Sequence, residues 1–428
     1  MKQYDNYKNS GVEWLGEIPE HWEVKKVFHY FKAEKGKNAA ILTKDYCGKI
    51  EGKFPVYSGQ TENNGIMSSI NQFEFDFEDD GCLFTTTVGA KAMTVSFLKS
   101  KFSLSQNCMI IVKRKKEIYS KFYFYHFQPI FHFFRSQIPD HMQASFRMED
   151  LYKLKFYLPP FQEQTAIANF LDDKTTKIDQ AIAIKQQQIA LLQERRQILI
   201  HNAVTRGLNE NVKLKDSGVE WIGEIPEHWE NTKIKAVAKT TSGATPPSGN
   251  LVRYYNGQYP WIRTTDLNNG ILNEVPEYIT EAALRDTACK IISKNTICIA
   301  MYGGSGTIGK FALVNFDNAT LNQAVCGIKG NIEINYLFLY YSLQMMRKHW
   351  MFYADGSRKD PNISQDIIKN MPIVYPHLSE QKLIVEYIEI SNTKIANAIS
   401  LKEQEIEKLK EYKMSLIDGV VTGKVKVF

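Results

Sequence analysis

Residues 304–310, Gly-Ser-Gly-Thr-Ile-Gly-Lys, follow the β-like run TICIAMY and spell G-x-G-x-x-G, a spacing that can cradle a phosphate. That chemistry needs a helix opening at the last glycine, so that free backbone amides point at the phosphates, and a Ser or Thr after the lysine to hold magnesium. Here the β-like FALVNF follows, and Phe311 stands in the magnesium position. A glycine hairpin carrying Lys310 toward a phosphate fits better, and the first half has Thr86-Thr87-Val88-Gly89-Ala90-Lys91 at the same place. Leu158-Pro159-Pro160-Phe161 imitates the NPPF loop with which amino-methyltransferases hold a flipped adenine, but Leu158 has no oxygen to accept from the amino group. Glu74, Asp76, Glu78, Asp79 and Asp80 offer carboxylates for hydrolysis, yet no lysine sits at the usual close spacing, and a solvated strand edge is expected. His126 and His132 lie 132 − 126 = 6 apart, which is not one-face metal spacing, so packing or polar-face roles are expected. Lys113-Arg114-Lys115-Lys116 suits a solvated turn or a phosphate contact.

The elements that must position these residues are written twice. SGVEWLGEIPEHWE at 10–23 recurs as SGVEWIGEIPEHWE at 217–230, with Leu15 against Ile222 the only change. The offset begins at 218 − 11 = 207 and is 259 − 54 = 205 where Phe54-Pro55 meets Tyr259-Pro260. Later it is 321 − 104 = 217, where Leu104-Ser105-Gln106 meets Leu321-Asn322-Gln323. About a dozen residues, around VPEYITEAALRD between Leu272 and Asn295, are therefore extra in the second half. Each half has a matched start, a divergent middle and a matched end. A duplicated chain can present two similar faces to a nearly symmetric partner, and duplex DNA is the obvious candidate. Specificity is expected in the divergent middles.

At 428 residues with 43% apolar content, roughly two to four domains with real cores are expected. A net charge of +6 permits a nucleic-acid partner without requiring one. Cys47, Cys82, Cys108, Cys289, Cys298 and Cys326 form no C-x-x-C pair, so no metal site is expected and the thiols should be reduced and mostly buried. The start MKQYDNYKNSG has no apolar signal core, and no run approaches the length of a membrane span. A soluble cytoplasmic protein with no membrane partner is expected.

After Pro159-Pro160 the chain runs without Gly or Pro to Gly207, with Glu163 suiting a helix N-terminus. One long helix is expected, with a possible bend at Asp172-Asp173. Its apolar residues Ile178, Ile182, Ile189, Leu192 and Leu199 follow the alternating spacing of a coiled-coil seam, broken by Lys185 and Arg196. The second half repeats the seam at Ile395, Ile399, Ile406, Leu409 and Leu416, with Lys402 and Lys413 in the polar places. Two helices too polar elsewhere for a core most economically pair with each other. The stripe leaves direction open; a two-fold axis perpendicular to the helices makes them antiparallel. About 36 helical residues span roughly 54 Å, about one and a half turns of B-DNA. A coiled coil that recruits another protein is the alternative.

The middles, 24–158 and 231–375, alternate short β-rich runs with one aromatic helix each, near 120–137 and 335–351. The expected fold is a pair of compact α/β (α+β) domains, 1–158 and 208–375, joined by long helices over 159–207 and 376–428, with an internal pseudo-two-fold repeat. The second domain carries Thr241-Ser242-Gly243-Ala244-Thr245-Pro246-Pro247, Tyr259-Pro260-Trp261-Ile262-Arg263-Thr264-Thr265-Asp266-Leu267, Ile299-Ala300-Met301-Tyr302-Gly303 and Leu321-Asn322-Gln323-Ala324. Each long helix begins at P-x-x-x-E-Q, Pro159 to Gln164 and Pro376 to Gln381. With these features the chain resembles, over essentially its whole length, the specificity subunit of type I restriction-modification enzymes. The first domain departs from the pattern: it has no evident counterpart of Gly243 to Pro247, and has Val56 to Gln60 where the second has Trp261 to Thr265.

The resemblance implies that each domain reads one half of a split sequence in double-stranded DNA and that the paired helices set the spacer. It further implies no catalysis and no cofactor in this chain. S-adenosylmethionine, ATP and magnesium would belong to partners: adenine methyltransferase subunits, two of them expected, and motor-nuclease subunits. A modification-only or type II-like complex, a self-sufficient nuclease or methyltransferase, and a coiled-coil scaffold without DNA affinity are the competing classes. Base readout needs polar side chains on loops that reach a groove. In the first domain the candidates are Ser58, Gln60, Asn63, Lys91, Gln143 and Arg147; in the second they are Thr245, Arg263, Thr265, Lys310, Arg358 and Lys359. Trp14, Trp22, Trp221 and Trp229 of the repeated segment are expected to be core or partner anchors rather than base contacts.

Overall fold

The computed structural model describes the chain apart from residues 1, 13–15, 61, 140, 304–305 and 354–361. It has two compact units, Met1–Gln186 with Glu403–Phe428, and Gln187–Lys402.

The first unit holds two four-stranded sheets. One is antiparallel, in the order Phe31–Glu34, Cys108–Lys113, Cys82–Thr86, Val95–Leu98. Every residue of Cys82–Thr86 is buried, the threonines included, as expected of a strand between two neighbours and under a helix. The other sheet runs Ile66–Ile70, Phe54–Tyr57, Lys101–Leu104, Phe75–Asp76, its middle pair parallel. The aromatic helix Ser120–Ser136 shares a core with the first sheet: Phe122, Tyr123, Phe127 and Phe131 pack among Phe31, Leu83, Met109 and Ile111. His126 on that helix is buried, its Nε2 accepts from the Tyr157 N–H at 3.2 Å, and burial pushes its pKa down to about 3, so it stays neutral. Of the acidic run, Glu74 precedes the edge strand Phe75–Asp76, Asp76 lies on it and Glu78 to Asp80 form the turn after it, with Lys101 paired to Asp76 and Glu78.

The second unit repeats this plan. Its antiparallel strands Ala238–Ser242, Val325–Gly330, Ile297–Ala300 and Phe311–Val314 stand in the same order, with Ile271–Leu272 added parallel to the last. Tyr255–Ile262 and Ala319–Leu321 form the parallel pair of the other sheet. The helix at Tyr336–Met346 gives way to a 3-10 turn at Arg347–His349, and the extra segment of this half forms the strand Tyr278–Ile279 and the helix Glu281–Asp286. Phe311–Val314 is a strand and not the helix that a nucleotide loop requires. All six cysteines are buried and free, and burial pushes the Cys108 and Cys326 thiols up to about 12.

The repeated motifs lock each long helix to its sheet domain. In the first unit the Trp22 indole donates to Glu163 Oε2 at 2.9 Å, Tyr4 donates to the same oxygen at 3.1 Å, and His21 meets Oε1 at 2.6 Å. Gln164 accepts from the Tyr119 N–H and donates to the carbonyls of Glu117 and Pro159, each at 2.9 Å. In the second unit Trp229 and His228 bond Glu380 at 3.1 and 2.9 Å, while Gln381 bonds Asn335, Glu333 and Pro376. The HW and EQ dipeptides are thus two ends of one staple. Trp22 and Trp229 are fully buried structural residues, Trp221 stacks on His349 at 4.8 Å, and Trp14 lies outside the described residues.

The long helices are Phe161–Arg206 and Leu378–Val421, the first unbroken through Asp172-Asp173. In the first unit Asp179 pairs with Lys413 and Lys185 with Glu405, so partner numbers fall as residue numbers rise and the segments are antiparallel. In the second unit Arg196 Nε donates to Asn392 at 2.9 Å, and Ile200, Ala203 and Val204 share a core with Ile384, Val385 and Ile388. Ile178, Ile395, Ile406 and Leu416 are buried and Ile182, Ile189, Leu192, Leu199, Ile399 and Leu409 half-buried, while the polar seam positions Lys185, Arg196 and Lys413 find partners.

Candidate nucleic-acid interface

In each unit the ends of four segments are tied into one continuous edge by backbone hydrogen bonds. In the first, Ser105 N donates to Tyr57 O at 2.7 Å and Gly59 N to Gln106 O at 3.1 Å. Thr87 N donates to Asn107 O at 2.9 Å, and Phe146 N donates to Thr87 O at 2.7 Å. In the second, Asn322 N donates to Ile262 O at 3.0 Å, Met301 N to Ala324 O at 2.8 Å, and Ile363 N to Met301 O at 2.9 Å. Three of these bonds recur at matching places in the repeat, and the Gly59 to Gln106 bond belongs to the first unit alone among the described residues.

A glycine admits the fourth strand end in both. A Cβ on Gly243 would stand 1.6 Å from the Leu321 carbonyl oxygen, and one on Gly36 would stand 2.4 Å from that of Leu104. No side chain fits either gap. Gly36 is therefore the counterpart of Gly243, which corrects the expectation that the first domain lacks one; only the residues after it differ.

The first-domain candidates fall on this edge. Ser58 is buried and its hydroxyl accepts from the Gln60 N–H at 3.4 Å, a local turn role. Gln60 and Asn63 both donate to Ile66 O, at 2.7 and 3.3 Å, and Asn63 takes a left-handed backbone at φ 48°. Lys91 is exposed at the hairpin between Cys82–Thr86 and Val95–Leu98, its carbonyl held by Thr86 and Thr94 hydroxyls at 2.6 and 2.7 Å. Gln143 and Arg147 are exposed while Ala144 and Phe146 between them are buried, the period of two that an extended segment imposes. Gly89 N donating to Ala144 O at 3.0 Å brings that segment against the Lys91 hairpin. A cavity of about 270 Å³ between Thr43, Lys44, Ser58, Gln60, Gln106 and Asn107 opens on the same edge.

In the second domain Thr245 is exposed and its hydroxyl bonds the Gln323 side-chain amide. Arg263 is half-buried between two carboxylates, its Nε 3.4 Å from Asp266 and its Nη1 3.4 Å from Glu277. Asp266 also caps the Arg263 N–H at 2.8 Å, so this arginine braces the turn Thr264–Asp266. Thr265 is exposed, 3.4 Å from Asp266 Oδ1. Lys310 is half-buried, where its hairpin rejoins the sheet through Ala300 N donating to Lys310 O at 2.8 Å. Arg358 and Lys359 lie outside the described residues.

Gln106, Asn107 and Gln323 are exposed on the edge and were not among the sequence candidates. The signal existed: Leu104-Ser105-Gln106 and Leu321-Asn322-Gln323 are one of the few pairs that stay matched across the divergent middles. Among the described residues no group of three or more His, Cys, Asp or Glu could hold a metal, and no helix is long and apolar enough to cross a membrane.

Residues 19–194 and again 226–411 match the type I restriction modification DNA specificity domain. The type I restriction enzyme MjaVIII specificity subunit of Methanocaldococcus jannaschii is 26% identical over 424 residues, which cover 96% of this chain and 94% of that one. Among solved structures, a chain from a study of complex assembly and conformational transition of the type I R-M system superposes with a TM-score of 0.70 at 13% identity, covering 95% of this chain and 99% of its own. The HsdS subunit from Thermoanaerobacter tengcongensis does so at 0.53 and 14%, covering 95% and 98%. Those two likenesses concern the fold, whereas the domain match spans both halves of the sequence: the chain belongs to the type I restriction-modification DNA specificity family.

Proposed function

We propose that this chain is the DNA sequence-recognition subunit of a type I restriction-modification complex and that each unit reads one half of a bipartite target. The observation that carries this reading is the edge built twice on three matching backbone hydrogen bonds but lined by largely different side chains. One scaffold presenting two sets of polar groups is what two different half-sites require.

The paired helices set the unspecified spacer between half-sites. Methyltransferase subunits dock where the staples fix the helix starts, and motor-nuclease subunits complete the complex. The chain supplies binding and no catalysis. S-adenosylmethionine, ATP and magnesium act in the partner subunits, in the cytoplasm where the host DNA lies.

Methylation mapping of DNA from cells that express the complex tests the reading. A split adenine motif is expected, and it disappears when this chain is deleted. A motif that persists without the chain, or is never split, overturns it.

A further inference from the structure

We propose that Gln106 and Gln323 are specificity-determining residues, each reading one base pair in the half-site of its own unit, and that Thr245 sets how Gln323 does so. This rests on the reading that the two edges face DNA.

Gln106 sits between the buried strands Lys101–Leu104 and Cys108–Lys113, and Gln323 between Ala319–Leu321 and Val325–Gly330. Their backbones are pinned. The Gln106 carbonyl accepts from Gly59, and its neighbours Ser105 and Asn107 are bonded to Tyr57 and Thr87. Around Gln323, Asn322 is bonded to Ile262 and Ala324 to Met301, and the Asn322 side chain accepts from the Ala324 N–H at 3.1 Å. A Cβ on Gly59 would stand 2.7 Å from Asn107 O, so the turn is closed against its neighbour. Each glutamine is nonetheless exposed, Gln106 after the buried Ser105 and Gln323 between the half-buried Asn322 and Ala324. A long amide on a rigid base loses little freedom when it meets a partner.

The amide carries a donor and an acceptor side by side, the pattern that pairs with the N6 and N7 edge of adenine. Among the described residues Gln106 makes no side-chain hydrogen bond, so both ends of its amide are free for such a two-point contact. Gln323 differs because the Thr245 hydroxyl engages one end. Oε1 keeps one lone pair and Nε2 keeps both of its hydrogens, so the free Nε2 donor is the end that faces a base. Thr245 stands on the segment that follows Gly243, where the two halves diverge after a common glycine. The same residue at the same place in the fold is thus given two different readings by its neighbour. Arg263, held by Asp266 and Glu277, shapes the turn beside it.

The full complex is used to select from a duplex DNA library randomised across both half-sites. With the unaltered chain a bipartite consensus is expected; its absence overturns the DNA-reading function itself. Gln106→Ala should erase the preference at one base pair of one half-site, by roughly 5- to 100-fold, and leave every other position intact. Gln323→Ala should do the same in the other half-site. Thr245→Val should change the preferred base at the position that Gln323→Ala affects and nowhere else, which a merely structural threonine would not do. With the bipartite consensus present, an unchanged consensus in the glutamine variants, or an equal loss of affinity for all sequences, overturns the assignment.

Discussion

Glu163 is the residue on which the helix start of the first unit depends, because one carboxylate oxygen takes hydrogen bonds from Tyr4 and Trp22 and the other meets His21. Trp22 is fully buried, so its N–H has no access to water if that partner is lost. An unsatisfied buried donor destabilises by about 1–3 kcal/mol. Glu163→Ala should therefore lower the free energy of unfolding by about 2 kcal/mol, read from the midpoint of urea denaturation, and Glu163→Gln, which keeps one acceptor oxygen, by less. Equal effects would show that the carboxylate acts by charge and not by accepting these bonds. Glu380 holds Trp229 and His228 in the second unit, and the same pair of substitutions applies there.

The long helices carry two kinds of information along their length. Their first turns are tied by the staples, and further along the seam alternates apolar residues with the polar positions Lys185, Arg196 and Lys413, each of which has a partner in the facing segment. A seven-residue insertion preserves that alternation, because the seam repeats every seven residues. Placed in the middle of both helices, it adds about 10 Å to each and leaves both edges proposed to read DNA untouched. Both half-sites should be retained and the spacer lengthened by up to about three base pairs, as read from the methylated motif. An unchanged spacer would sink the ruler role of the helices. The Gly36 and Gly243 positions show the complementary rule for the sheets: where two strand ends approach this closely, the element is defined by a missing side chain.

At the scale of the whole molecule the chain makes one staple, one edge and one aromatic helix per half. The parts that match most closely in sequence, SGVEW-GEIPEHWE and P-x-x-x-E-Q, hold the framework, and divergent parts line the edges around the matched Gln106 and Gln323. Two equivalent frameworks offer two equivalent docking places. Native mass spectrometry of the assembled modification complex should give two methyltransferase subunits for one copy of this chain. A complex with a single methyltransferase at saturating subunit would mean that the likeness of the halves serves folding alone.

Much of this architecture was legible in order along the chain. The repeat, the two long helices with their alternating apolar spacing and the aromatic helices are all local patterns, and helical periodicity is written in residue order. The edge proposed to read DNA was legible only in part. Lys91, Gln143 and Arg147 stand out as polar residues in divergent loops, but what joins their loops to Gln106 is a set of backbone hydrogen bonds, and a backbone amide leaves no mark on residue type. Gly36 and Gly243 stand 243 − 36 = 207 apart, the opening offset of the repeat, but what requires a glycine there is the approach of the Leu104 and Leu321 carbonyls, which only the fold supplies. That Glu277 as well as Asp266 holds Arg263 could not be read from residue order, because Glu277 arrives from beyond the next turn. The linear order of residues carries periodicity and repetition; which amide, carboxylate or hydroxyl stands across from each side chain exists only once distant segments have folded together.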